Sequence, residues 1–253
     1  AGDVMDKVWL QQYPQGIPAE AEYRAYRSLK EILTATCTRF ADRPAYGNLG
    51  VTITYRELDQ LSRDFGAYLQ KVAGLKKGER LAIMLPNLLQ YPIALFGAQR
   101  AGVVVVNTNP LYTGRELEHQ LKDSGASAIV VLENFAHTLE EVLPRTSVRT
   151  VITTQIGDLF PAFKRMLTNL VVKHVKKMVP EWHLAKTIGF TEALAAGHAQ
   201  ALHRTDARAA SAVRPCRSMR WARSYSEAIT RTRRACRTSR RITVEPRPTS
   251  TTL

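Results

Sequence analysis

The chain has 253 residues, of which 45% are hydrophobic and 23% charged, and its formal net charge is +14. This composition is typical of a globular protein with one large domain or two small ones. Three cysteines exclude a disulfide framework, and the six histidines show no metal-ligand spacing, so no structural metal is expected. No apolar run reaches the roughly 18 residues that a membrane-spanning helix needs, and no secretory signal is recognised.

The composition changes sharply after His203. Residues 1–203 contain all the glycines and lysines of the chain, and their twenty-three basic residues face nineteen acidic ones. Residues 204–253 contain thirteen arginines and three acidic residues, with no lysine and no glycine. The strongly basic character therefore belongs to this tail, and it gives no reason to expect nucleic acid as a partner of residues 1–203.

The first predicted elements are a helix, a hairpin and a second helix. A capping box at Ser28–Glu31 starts the first helix, which Pro44 closes. Two short strands are expected within residues 44–54, on either side of a tight turn. A second capping box, Thr54–Glu57, begins an amphipathic helix, and Gly74 is predicted to end it.

Short apolar runs then alternate with helices. Buried strands are predicted at 80–85, Val103–Val106, 128–132, 148–153 and 187–190. The four-valine run in particular is expected to be a parallel strand covered on both faces. Helices are predicted from Leu89 to Ala101 before Gly102, from the capping box Thr113–Glu116 to Gly125, from Asn134 as N-cap to Leu143, and at 191–196 before Gly197. This alternation predicts an α/β fold, a doubly wound and mostly parallel sheet flanked by helices.

Residues 158–180 combine an apolar stripe with basic residues. The stripe and the basic residues around it are Phe160, Phe163, Leu167, Leu170, Val171, Val175 and Met178, with Lys164, Arg165, Lys173, Lys176 and Lys177. One interpretation is an amphipathic surface helix packed on the sheet, and the other is a basic helix facing a membrane. The second makes Phe160–Pro180 a contact with the inner face of the cell membrane, in a protein otherwise expected in the cytoplasm.

Residues 85–126 carry a recognisable order of segments. An apolar strand and a helix lead to an Arg-Ala-Gly turn at 100–102, a valine-rich strand, the segment NTNPLYT at 107–113 and a capped helix. This order resembles the first conserved block of the AMP-forming acyl-CoA synthetases, within the adenylate-forming superfamily. The segment ITYREL at 53–58 matches a helix start in the same family.

Two further segments, Tyr13–Pro18 and Val175–Pro180, are similar to bacterial long-chain fatty acid–CoA ligases. The resemblance covers residues 1–203, which it identifies as a partial N-terminal domain of an AMP-binding acyl-CoA synthetase. It implies activation of a fatty acid with ATP to acyl-AMP and transfer of the acyl group to coenzyme A, with Mg²⁺ to offset the triphosphate charge. An aryl-CoA ligase shares this N-terminal core and stays an alternative, and a homodimer is compatible with the sequence.

The resemblance assigns no catalytic, cofactor-binding or metal-binding residue to this chain. The matching residues have structural explanations: Gly102 ends a helix, Pro110 fixes a turn, and Thr113 with Glu116 caps a helix. In the family, a phosphate loop resembling YTGGTTGxxKG follows shortly after the position of residue 203. Residues 204–253 lack the glycines and the lysine of such a loop, so we expect this chain alone to be inactive. The ribose-binding acid and the C-terminal lysine of the family are expected outside it.

Residues 204–253, an Arg-rich tail that we expect to be disordered and outside the fold, have three explanations. A shifted reading frame in GC-rich DNA would produce Arg, Ala, Ser, Thr and Pro while avoiding Lys, which is the composition found. A genuine arginine arm would bind nucleic acid or a membrane as a non-enzymatic basic protein. Its phosphate and stacking contacts would come from Arg217, Arg220, Trp221, Arg223, Tyr225, Arg231, Arg233 and Arg234. An unrelated fusion or a solvating tail is the third.

Overall fold

The computed structural model describes residues 8–20, 26, 28–176 and 178–203. The hypotheses for residues 204–253 lie outside the described residues. The helices are α1 (Leu29–Arg39), α2 (Tyr55–Lys71), α3 (Gln90–Ala101), α4 (Gly114–Ser124), α5 (Ala136–Val142), α6 (Ala162–Leu170) and α7 (Phe190–His198). The strands are β1 (Pro44–Asn48), β2 (Val51–Thr54), β3 (Arg80–Met84), β4 (Val104–Asn107), β5 (Ala128–Leu132), β6 (Thr150–Thr154) and β7 (Thr187–Gly189). Val171–Val175 continues α6 as a π-helical turn.

Strands β3 to β7 form a parallel sheet in the order β4-β3-β5-β6-β7, and β1 and β2 form a separate antiparallel hairpin. The chain passes from β3 outward to β4 and then returns to the other side of β3 to form β5. Two neighbouring strands therefore lead to connections that run in opposite directions, which is the doubly wound arrangement expected from the sequence. The α/β prediction is confirmed.

Helices cover both faces of this sheet. On one face, α2, α3 and α7 pack around a core that contains Phe65, Ile93 and Phe190. On the other face, Leu117 of α4 and Leu139 of α5 pack on alternate side chains of the same strands. Because successive residues of a strand point to opposite faces, each central strand must be apolar throughout, and all five residues of β5 are buried.

Local caps explain where several helices begin and end. The capping boxes predicted at Thr54–Glu57 and Thr113–Glu116 are both complete, and Gly102 ends α3 in a left-handed conformation with φ of 78°. The Ser28 hydroxyl accepts a hydrogen bond from the backbone N–H of Glu31 at 3.2 Å. Gly74, the residue predicted to end α2, has the left-handed conformation of a helix-ending glycine, with φ of 65°, and the last helical residue is Lys71.

Two other predictions are wrong because of tertiary packing. Strand β4 is the outermost strand described on its side, so Val104–Val106 are only half-buried and not covered on both faces. Gly197 lies inside α7 and does not stop it. A Cβ at Gly197 would lie 1.9 Å from the backbone oxygen of Asp64, so glycine allows the close contact between α7 and α2.

An ion pair closes the amino end of the sheet. Arg149, just before β6, donates two hydrogen bonds to the Glu79 carboxylate at 2.8 and 2.9 Å. Ser127, just before β5, adds a third at 3.2 Å, and the backbone N–H of Lys76 adds a fourth at 2.6 Å. The hydrogen bonds from Arg149 are the main reason why the pKa of Glu79 is lowered to about 2.

Candidate functional site at the carboxyl end of the sheet

The carboxyl ends of β3 and β5 lie side by side at the point where the chain direction reverses. In open α/β sheets, ligands bind in the crevice outside the strands at such a point. The segments that follow β5 and β6 begin with Glu133 and Gln155, and α6 lies across them. This end of the sheet is therefore the candidate functional site.

Gln155 is the centre of a hydrogen-bond network that links β6 to its neighbours. Its side-chain amide donates to both carboxylate oxygens of Glu133 at 3.0 and 2.9 Å. Its side-chain oxygen accepts from the Asn169 amide at 2.7 Å, and the Asn169 oxygen accepts from the backbone N–H of Gly157 at 2.9 Å. Gln155 thereby holds a carboxylate on one side and helix α6 on the other.

A second set of contacts fixes the backbone at the end of β6. The buried side-chain amide of Gln90, in the first turn of α3, donates to the Thr154 hydroxyl at 3.1 Å and to the Gln155 carbonyl at 2.8 Å. The Asp158 carboxylate accepts from the Thr154 hydroxyl at 2.9 Å and from the Gln155 N–H at 2.8 Å. These bonds satisfy polar groups that the sheet itself leaves unpaired.

The surroundings of Glu133 at this end of the sheet raise the pKa of its carboxyl group. Burial raises the pKa of Glu133, and the negative charge of Asp158 raises it further. The Gln155 amide and the Lys173 ammonium oppose this shift without cancelling it. Glu133 therefore keeps its proton at a higher pH than an exposed glutamate does.

A cavity of about 450 Å³ opens between Gln155 and α6. Its lining combines two cations, two amides and three apolar side chains: Arg165, Lys173, Gln155, Asn169, Ala162, Met166 and Leu170. Such a lining suits an amphipathic ligand with an anionic head. Among these side chains, the Lys173 amine belongs to a type that can act as a nucleophile, whereas the amides and the apolar groups make binding contacts.

The sequence block at 85–126 forms structure around this end and contributes little to the network. Tyr112 N–H donates to the Asn109 carbonyl at 3.2 Å, which makes the predicted turn at Pro110. The Tyr91 hydroxyl donates to the Asn107 side chain at 3.0 Å. Arg100, 5% exposed, donates to Ser62 at 2.9 Å and to Asp59 at 2.5 Å, which ties α3 to α2. The structural roles predicted for this block are confirmed.

Sequence reasoning missed the residues of the network. Glu133 directly follows the predicted strand at 128–132, and Gln155 lies two residues after the predicted strand at 148–153, so the rule that ligands bind at strand carboxyl ends could have singled them out. Asn134 was predicted to cap α5, and this is wrong: Phe135 precedes the helix, and the Asn134 amide donates to the Met178 carbonyl at 2.8 Å. Within the described ranges, no group of three His, Cys, Asp or Glu side chains could hold a metal ion, and no helix is long and apolar enough to cross a membrane.

The family model for AMP-binding enzymes matches residues 33–185. The chain belongs to this family. A long-chain-fatty-acid–CoA ligase of Salmonella typhimurium is 55% identical over 194 residues, which cover 77% of this chain and 35% of the relative. The ligase of that name from Haemophilus influenzae is 51% identical over 193 residues, or 76% of this chain and 34% of the relative. The chain thus spans about a third of the length of these relatives.

Solved structures show the same fold. A long-chain-fatty-acid-CoA ligase from Archaeoglobus fulgidus superposes with a TM-score of 0.54 and 20% sequence identity, covering 77% of this chain and 34% of that one. The alignment places the parallel sheet within the adenylate-forming enzyme fold. The resemblance read from the sequence is therefore confirmed.

Membership of the AMP-binding family implies an adenine nucleotide as ligand. The described residues do not by themselves fit the triphosphate group of ATP. At the start of α4, the Glu116 carboxylate already accepts the N–H of Thr113 at 2.9 Å, and its negative charge opposes a phosphate. The segments after β3, β4 and β5 contain no glycine, and Gly157 after β6 gives its N–H to Asn169.

Proposed function

We propose that residues 1–203 are the N-terminal part of a long-chain fatty acid–CoA ligase. Such an enzyme uses ATP and Mg²⁺ to form acyl-AMP and then transfers the acyl group to coenzyme A. The identity of 51–55% over 193 or 194 residues to ligases of that name carries this proposal, and it favours a long-chain fatty acid over an aryl acid as substrate.

The proposal extends to location and assembly. The protein works in the cytoplasm, at the inner face of the cell membrane, where fatty acids partition. Contact with that face is made through Phe160–Pro180. A homodimer is part of the same proposal, and size-exclusion chromatography with light scattering tests it directly.

We also propose that this chain alone forms no acyl-AMP. The described residues offer no cradle for a triphosphate, because the helix start after β4 already holds a carboxylate. Residues 204–253 contain neither glycine nor lysine, so their composition cannot supply a glycine-rich loop with a phosphate-binding lysine. The scaffold is therefore present without the groups that bind the reacting phosphates.

Pyrophosphate release tests this proposal. The purified chain is incubated with ATP, Mg²⁺ and palmitate, and the full-length Salmonella relative is the positive control. We expect release at the level of the protein-free blank while circular dichroism shows a folded chain. Palmitate-dependent release above the blank would contradict the proposed inactivity.

The encoding DNA gives a second test. Translating codons 195–253 in the other two frames either reveals a Gly- and Thr-rich loop with its lysine or does not. If the loop appears, joining that frame to residue 203 and continuing it downstream to its own stop codon should restore palmitate-dependent pyrophosphate release. If no frame contains it, the shifted-frame explanation is wrong. A basic binding protein acting through residues 204–253 then becomes the favoured function, and its affinity for RNA should fall steeply between low and moderate salt.

A further inference from the structure

A cavity of about 720 Å³ lies between the end of α1 and the first half of α2. It shares no lining residue with the cavity beside α6. Its charged lining residues, three arginines and two aspartates, are Arg39, Arg43, Arg56, Asp42 and Asp59. We call this space the arginine cavity. A lining of this kind suits a polar ligand, and the balance between its arginines and its aspartates determines which charge the ligand should carry.

Both aspartates of the arginine cavity are already neutralised. The Asp42 carboxylate accepts two hydrogen bonds from Arg56, at 2.7 and 3.2 Å. The Asp59 carboxylate accepts from Arg63 at 2.8 Å and from Arg100 at 2.5 Å, so two cations face this single negative charge. Neither aspartate therefore has negative charge to spare for a further arginine of the lining.

Arg39 and Arg43 carry the uncompensated charge of the cavity. Both residues are exposed, and within the part of the chain that the structure describes neither forms an ion pair. Their guanidinium groups lie 5.1 and 5.2 Å from the centre of the Phe40 ring. One aromatic side chain thus holds two like charges within about 10 Å of each other. An anion that lies between the two guanidinium groups would relieve their repulsion.

The charge and the lining of the cavity favour a phosphate ester over a fatty acid. A cation–π contact uses no N–H donor, so each guanidinium can still donate a forked pair of hydrogen bonds to an oxyanion. A phosphate monoester carries about 1.5 to 2 negative charges at neutral pH and can pair with both guanidinium groups, whereas a carboxylate carries only one. The lining is mostly polar, with Cys37, Phe40 and Ala41 as its apolar members, so it offers little surface to an alkyl chain.

We propose that the arginine cavity is a binding site for a small, soluble phosphate monoester, whose phosphate lies between Arg39 and Arg43. The bound phosphate connects the last turn of α1 to the segment that leads into β1, because the two arginines belong to these two segments. This inference is independent of the proposed function. It can be tested without measuring acyl-AMP or pyrophosphate.

Protection of single arginines from phenylglyoxal tests the inference in the full 253-residue chain. Peptide mass spectrometry reads the modification of each arginine separately, so the arginines of residues 204–253 do not obscure the result. The probe is glycerol 3-phosphate, titrated at an ionic strength kept constant with chloride. When the probe reaches about four times its Kd, we expect Arg39 and Arg43 to be modified about fivefold more slowly. Arg115, which is exposed and lies outside the arginine cavity, should be modified at an unchanged rate.

Two variants distinguish a shared site from two arginines that act separately. Arg43→Gln removes one cation from an exposed position, and the protection of Arg39 should then fall to less than about half, because one guanidinium cannot hold the phosphate as well as two. The matched control Arg115→Gln should keep the protection of Arg39. Phe40→Leu keeps both charges and removes the ring between them, so protection should fall at both arginines. Circular dichroism shows that each variant is folded.

Three results would overturn the inference. Equal slowing at Arg39, Arg43 and Arg115 would show that the anion screens arginines without a site. Full protection of Arg39 in Arg43→Gln would show that the two arginines share no ligand. If the probe protects neither arginine, they serve only the Phe40 ring and the carbonyl groups at the end of α1. Because glycerol 3-phosphate has no acyl chain, its protection of both arginines would show that the site takes a soluble ester and needs no bilayer.

Discussion

The two ends of the parallel sheet carry glutamates with opposite properties. At the amino end, Glu79 is bound by Arg149, and its pKa falls to about 2. At the carboxyl end, Glu133 is bound by a neutral amide, and burial raises its pKa. The same type of side chain is thus held charged at one end and biased toward its neutral form at the other.

This difference indicates that the amino end of the sheet serves stability, whereas the carboxyl end has the features of a functional site. The amino end joins the starts of β3, β5 and β6 with charge-assisted hydrogen bonds. The carboxyl end places a raised pKa, an open cavity and an outward apolar helix together. Perturbed carboxyl groups beside cavities are a recurring feature of functional sites, whereas strong ion pairs are usually structural.

Breaking the carboxyl-end network should have the largest effect. Gln155→Ala removes both hydrogen bonds to Glu133 and the acceptor for Asn169. We expect the free energy of unfolding to fall by about 2 kcal/mol, because half-buried polar groups lose their partners. Urea unfolding measures the change. Gln200→Ala, at an exposed position, is the control and should cost less than half as much; equal losses would show that the network contributes no more stability than an exposed glutamine.

Breaking the amino-end pair should have a smaller effect that depends on pH. Arg149→Gln removes a partly exposed ion pair and should cost about 1 kcal/mol at neutral pH. Because the pKa of Glu79 is lowered from 4.5 to about 2, its stabilising contribution is complete above pH 4.5 and is lost as the pH falls through about 2. Unfolding curves of parent and variant should therefore converge in acid. A constant difference down to pH 2 would contradict this account.

Replacing Glu133 should give the smallest effect, with the opposite dependence on pH. Its raised pKa means that the parent is favoured below the ordinary value of 4.5 and loses stability as the pH rises through the folded pKa. Glu133→Gln cannot ionise, so the stability of the variant relative to the parent should increase as the pH rises above 4.5. Thermal unfolding at a series of pH values measures this trend. A relative stability that decreases with pH would refute the raised pKa.

Much of the fold could be predicted from local patterns. The strand at 128–132 is found with the predicted bounds because a fully apolar run between a glycine turn and a polar residue has few other conformations in a sheet protein. The caps at Thr54 and Thr113 are set by contacts within four residues. The sequence-based prediction failed where residues far apart in the chain determine the local structure. Gly197 is an example, because its position inside α7 depends on the contact with the backbone of α2.

The candidate site was not predictable to the same degree. Glu133, Gln155 and Asn169 are separated by up to 36 positions in the chain, and only the crossover connections bring them together. Periodicity located the apolar stripe of α6 but not its direction, because a helix with two different sides packs according to its partners. The bonds of Lys164 and Asn169 that orient this helix are tertiary contacts.

The close contact between α7 and α2 also sets the position of His203, the last residue that the structure describes. After α7, the His203 carbonyl accepts a hydrogen bond from Gln70, whose amide also contacts the Ala101 carbonyl at the end of α3. Position 203 therefore lies at the amino end of the sheet, on the side opposite the cavity. A segment that follows residue 203 therefore needs at least about five extended residues to span the length of a five-residue strand and reach the carboxyl end of the sheet.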